Sequence, residues 1–168
     1  MNINDTQDRI IREMAAIVDW MDKYDYLIEK AREMEPLEDR YKVEENAISG
    51  CQSSAWLHSE IADGRIHFKA DSDTLITKGM IALVLQVLNH REPQAIVDAE
   101  LYFIEKTGLG SHLSPSRANG LGAIVNQMRR LAEEAAPTSI QRAASSGRCN
   151  SKFPKAPMTR SGKRSKAF

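Results

Sequence analysis

Residues Trp56-Leu57-His58-Ser59-Glu60-Ile61-Ala62-Asp63-Gly64-Arg65-Ile66-His67-Phe68-Lys69-Ala70-Asp71 read as two strands around a tight turn. Asp63-Gly64 suits a two-residue type I′ turn, because both central positions of that turn need positive φ. A turn at 63–64 dictates the register. Ile61 then faces Ile66, Ser59 faces Phe68 and Leu57 faces Ala70, while Glu60 faces His67 and Trp56 faces Asp71 on the other side. Ile66, Phe68 and Ala70 alternate with Arg65, His67 and Lys69. That is the pattern of a strand with one face buried.

Downstream, residues 74–89 are apolar on most sides: Leu75, Ile76, Met80, Ile81, Leu83, Val84, Leu85, Val87 and Leu88. The length favours a helix over a strand, and an all-round apolar helix belongs in a core. Asp71-Ser72-Asp73 reads as its capping signal. Pro93 suits the first turn of a short helix, and a second short helical piece is expected near 99–107. Ser114-Pro115 opens a last helix along Leu121, Ile124, Val125, Met128 and Leu131. Upstream, Asn4, Asp5 or Thr6 can cap a first helix through Ile10, Ile11, Met14, Ile17 and Val18. A second runs from Asp19 along Trp20, Tyr24, Leu27, Ile28, Ala31 and Met34 until Pro36 stops it. A short strand near 44–48 is expected to join the hairpin. These elements predict an α+β fold: a small antiparallel sheet of about three strands packed with helices. Ser49-Gly50-Cys51 then falls on a loop at the end of the sheet away from the turn.

The chain has 168 residues, 42% hydrophobic and 27% charged, the composition of one soluble globular domain. No apolar run approaches the roughly 18 residues of a membrane span. The start, MNINDTQDRIIRE, places acids where a signal peptide needs a basic segment. The expected compartment is the cytoplasm. The net charge of zero conceals a split, because residues 137–168 hold eight Lys or Arg and no acid. Of 23 basic and 23 acidic residues, 15 and 23 therefore remain in 1–136, a body of −8 beside a tail of +8. We expect a domain over 1–136 and a disordered basic tail over 137–168, where apolar periodicity stops.

The two cysteines are Cys51 and Cys149. Two thiols make no disulfide framework, and cytosolic thiols stay reduced. Cys149 falls in the tail and is expected to be an incidental exposed thiol. Cys51 follows Gly50 in a loop, and a thiol that attacks sulfur needs access and a mobile backbone. No Lys, Arg or His lies in residues 46–53, and Glu44 and Glu45 oppose a developing negative charge. From chemistry alone, a buried structural cysteine and a nucleophile stand equal.

The stretch Asn46–Trp56, NAISGCQSSAW, resembles the SufE family's loop around its persulfide-carrying cysteine. Three further segments carry the same resemblance in order. They are Trp20, Tyr24 and Tyr26 (a WxxxYxY-like helix), Asp71-Ser72-Asp73 with Lys78-Gly79 ("DSD…KG"), and His112-Leu113-Ser114-Pro115-Ser116-Arg117-Ala118-Asn119-Gly120-Leu121 ("LTPSRxxGL"). Ser49 and Ser114 vary within the pattern. Together the motifs cover most of 15–132, and nothing in them accounts for the basic tail.

The resemblance implies a fold similar to that of IscU-type scaffolds and a sulfur relay. A cysteine desulfurase of the SufS type makes a persulfide, Cys51 accepts its outer sulfur, and the sulfur passes to the SufBCD scaffold for iron–sulfur cluster assembly. The acceptor stimulates the desulfurase, has no turnover without it, and itself holds no cofactor and no metal. Gly50, Gln52, Ser53, Asp71, Asp73, His112 and Arg117 are the candidate loop and partner contacts. Each has a plainer reading: Gln52 and Ser53 as turn residues, Asp71 and Asp73 as helix caps, His112 as a surface histidine, Arg117 as a solvated helix-start residue. A CsdE-like carrier serving another desulfurase is the rival within the family. A nucleic-acid adaptor acting through the basic tail is the rival from another class, disfavoured because the tail lacks an aromatic platform beyond Phe153 and Phe168. A zinc site of Cys51, His112 and an acid falls short of the usual four clustered ligands. A monomer and a homodimer are both compatible with the sequence.

Overall fold

The hairpin adopts the register that its turn dictates. Strands β1 (Ala55–Ala62) and β2 (Arg65–Ser72) pair antiparallel, with Leu57 opposite Ala70, Ser59 opposite Phe68 and Ile61 opposite Ile66. Asp63 and Gly64 have φ of 52° and 72°, as a type I′ turn requires. Leu57, Ile66, Phe68 and Ala70 are buried, whereas Ile61, beside the turn, is 60% exposed.

The computed structural model describes residues 1–137. The expected disordered tail, from residue 138 on, and Cys149 lie outside the described residues. Over Met1–Ala136 the chain forms one unit. Helices α1 (Ile3–Ala15) and α2 (Trp20–Glu33) precede the hairpin. After it come α3 (Leu75–Leu88), three short helices α4 (Pro93–Val97), α5 (Phe103–Lys106) and α6 (Leu109–His112), and the long α7 (Pro115–Ala135). Helix α3 is the centre, packed on α1, α2, β2 and α7. Its Met80, Ile81, Leu83, Val84, Val87 and Leu88 are essentially inaccessible to water. Helix α7 buries Leu121, Ile124, Val125, Met128 and Ala132. No helix among the described residues is long and apolar enough to cross a membrane.

The sheet has two strands instead of about three. Residues 44–46 form a 3-10 turn, and Ala47 makes only an isolated bridge to Trp56. On the opposite side, β2 is closed by other means. Ile66 exchanges backbone hydrogen bonds of 2.9 Å with His90 and Arg91. The Asn89 side chain donates to Phe68 O (3.0 Å) and accepts from Phe68 N (2.7 Å), taking the place of a neighbouring strand.

Helix starts also differ in detail. Asn2, rather than Asn4, Asp5 or Thr6, caps α1, in a reciprocal capping box with Asp5. Val18, placed on the core stripe by periodicity, is 93% exposed, because α1 ends at Ala15. Asp19 caps α2 as expected. Thr74 occupies the cap position of α3, so neither Asp71 nor Asp73 caps it.

Candidate functional site: the Cys51 loop

Residues 49–54 connect the turn at 44–46 to β1, at the end of the hairpin away from Asp63-Gly64. The base of the loop is tied. Ile48 N–H donates to Ala55 O (2.9 Å), and Ser54 O accepts from Asp73 N–H (3.0 Å) and from the Ser72 hydroxyl (2.9 Å). The Thr74 hydroxyl donates to Ser53 Oγ (3.1 Å), and the Thr77 hydroxyl reaches the same oxygen at 3.5 Å. Between these ties Gly50 turns the chain with φ of 87°, where a β-carbon is strained. Cys51 follows, half-buried.

Cys51 opens onto a hollow of about 380 Å³. The loop contributes Cys51, Gln52 and Ser53, α3 contributes Thr77 and Met80, and the start of α7 contributes Ser114, Ser116 and Arg117. The lining is rich in hydroxyls and holds one cation. Pro115, which has no N–H, occupies the first position of α7, and Arg117 and Ala118 donate their N–H groups to Ser114 O, so the positive end of a 21-residue helix meets this hollow at Ser116. A helix N-terminus and a guanidinium both favour an anion there. A larger hollow, about 500 Å³, lies among α2, β2 and α3 beside His67 and His90; it contains no thiol.

Of the eight residues singled out in the sequence, the structure brings Cys51, Gln52, Ser53 and Arg117 to one hollow. Gly50 shapes the loop. Asp71, Asp73 and His112 stand elsewhere. Asp71 is 7% exposed and bound by Lys78 (2.9 Å), Lys42 (3.1 Å) and the Ser72 N–H. Burial by itself raises its pKa, but the two lysines outweigh that and hold the carboxyl below the usual aspartate range. Asp73 is exposed and meets the loop through its backbone alone. His112 stacks on Trp20, with ring centroids 4.1 Å apart and planes at 13°. It does not line the Cys51 hollow, which removes it from the zinc site imagined for Cys51. Among the described residues no group of three or more His, Cys, Asp and Glu is placed to hold a metal ion.

Thr77, Met80, Ser114 and Ser116 line the hollow without having been singled out. Thr77 and Met80, three apart on α3, share a helix face. A threonine inside an apolar helix was the available signal.

A protein-family model described as "SufE: Fe-S metabolism associated domain" matches residues 8–132. The fold is also similar to the solution structure of a hypothetical protein from Thermus thermophilus. The TM-score is 0.65 at 17% identity, over 77% of this chain and 95% of that one. That likeness is one of fold. The family match runs from within α1 to within α7, through the Cys51 loop and the whole hairpin, and on it this chain belongs to the SufE family of iron–sulfur metabolism.

Proposed function

We propose that Cys51 accepts sulfane sulfur from the persulfide of a SufS-type cysteine desulfurase and hands it to the SufBCD scaffold. The observation that carries this reading is a half-buried thiol, on a glycine loop, opening onto a polar hollow in a SufE-family chain. The Cys51 thiolate attacks the outer sulfur of the desulfurase persulfide. A sulfur–sulfur bond forms to Cys51, the bond inside the desulfurase persulfide breaks, and the electron pair leaves on the desulfurase thiolate. No external oxidant or reductant is consumed. Regenerating the desulfurase thiol frees it for another turnover, which is how the acceptor stimulates it. Arg117 and the first turn of α7 offer positive potential to the anionic sulfur, and the hollow has room for one further atom. A reducing cytoplasm suits a thiol that must remain free.

Intact mass spectrometry after incubation with a desulfurase and cysteine tests the reading. The wild type and Cys149→Ser should each gain one sulfur on Cys51, while Cys51→Ser, nearly isosteric, should gain none. Wild-type uptake by Cys51→Ser overturns the proposal.

A further inference from the structure

We propose that Gly120 is the seat of the Cys51 sulfur, a positioning residue whose missing side chain sets how the thiol rests. Gly120 is buried in the second turn of α7. A β-carbon built there would lie 2.9 Å from Cys51 Sγ, closer than real β-carbons approach other atoms. It would lie 3.9 Å from both Cys51 Cα and Cβ, an ordinary contact. The conflict therefore falls on one atom, the sulfur. Non-bonded carbons settle at about 3.5–4.0 Å, so the sulfur occupies the space where a side chain at 120 would begin.

A second contact has the same form. A β-carbon at Gly50 would stand 3.7 Å from Ala123 Cβ. Residues 120 and 123 share one face of α7 by their spacing of three. Gly50 and Cys51 thus rest side by side on adjacent turns of that helix, where the side chains are absent or smallest. Gly122, on the same helix, meets nothing within 4 Å and is exposed. The two glycines have the same backbone and opposite surroundings, which makes them a matched pair.

The consequence rests on the sulfur-carrier reading. The seat sets which way the sulfur rests against α7, and so how much of it a reagent or a partner's persulfide can reach. A methyl group at 120 evicts the sulfur without a partner's help.

The test follows alkylation of Cys51 by iodoacetamide in a Cys149→Ser background, with no desulfurase present. Gly120→Ala should raise the rate several-fold, and Gly122→Ala should leave it unchanged. The sulfur ends a short side chain that can turn aside, so Gly120→Ala should keep a melting temperature close to wild type, and any loss should be recovered by adding Cys51→Ala, because the clash is with sulfur. A general packing role for Gly120 would not be rescued in this way. A folded Gly120→Ala protein that alkylates at the wild-type rate overturns the seat. Should Gly120→Ala not fold, recovery in Cys51→Ala/Gly120→Ala supports the seat, and a double variant that also fails overturns it. None of these readouts uses sulfur transfer, so the seat and the carrier role fail separately.

Discussion

Gly79 in α3 crosses directly over the backbone carbonyl of Leu27 in α2. A β-carbon at 79 would overlap the Leu27 carbonyl oxygen, carbonyl carbon and Cβ. Unlike the sulfur beside Gly120, these atoms are the backbone and the β-carbon of buried Leu27 and cannot turn aside. Gly79→Ala should cost on the order of 3 kcal/mol by overpacking, despite alanine's better helix propensity. Gly122→Ala, facing open space, should be neutral or stabilising by about 0.5–1 kcal/mol. Urea unfolding of both variants checks the contrast, and equal stabilities would mean that the α2–α3 contact is looser than described.

The ion triad at Asp71 makes stability depend on pH in a defined direction. Lys78 and Lys42 hold its carboxyl below the ordinary value of 3.8. A group whose folded pKa lies below its unfolded one contributes stability at higher pH. That contribution is lost as pH falls through the ordinary value toward the lowered one. Asp71→Asn should therefore cost on the order of 1–2 kcal/mol at neutral pH, since it leaves two lysines without their partner. The difference from wild type should shrink below about pH 4. Melting temperatures at pH 7 and pH 3 check this, and a difference that persists unchanged at pH 3 would sink it.

Asn89 closes the free edge of β2, on the side of the hairpin opposite the expected third strand. The hairpin was legible because Asp63-Gly64 leaves a single register, and α3 because an apolar run of that length has one use. Ala47 and Ile48 carry the apolar character of a strand but make one bridge. The other edge of β2 is closed by an amide 21 residues along the chain, a partner that no local periodicity announces. Asn89→Ala should remove two hydrogen bonds from buried Phe68 and cost about 2–3 kcal/mol. Amide hydrogen exchange at Phe68 should accelerate, and unchanged protection there would show that the edge is held by the His90–Arg91 backbone alone.

The site divides in the same way. Cys51, Gln52, Ser53 and Arg117 were legible through the resemblance of their segments, the glycine loop and the start of the last helix, to the family's motifs; the local chemistry of Cys51 alone left a structural cysteine equally placed. Thr77 and Met80 hide in an apolar helix, and Gly120 acts by having no side chain. Gly120 falls at the glycine of the segment resembling "LTPSRxxGL", but no local periodicity announces its approach to Cys51, 69 residues away.

Arg117 is the cation of the Cys51 hollow, at the third position of α7. Its side chain is exposed, so its removal takes little from the core. Sulfur transfer moves a negative charge from the attacking Cys51 thiolate to the departing desulfurase thiolate, beside a hollow otherwise lined by hydroxyls, Gln52 and Met80. Losing one charge-assisted contact worth about 1.4 kcal/mol in the transition state lowers the rate roughly tenfold. Arg117→Ala should show that loss in single-turnover sulfur uptake from a desulfurase, with a melting temperature close to wild type. Arg117→Lys keeps the charge but not the planar fork, so it should recover part of the rate. Added salt should slow the wild type too, because exposed charges of the acidic body are screened beyond a Debye length of about 8 Å at physiological ionic strength. Arg117→Ala at the wild-type rate would show that the positive end of α7 suffices, and the guanidinium would lose its place in the transfer.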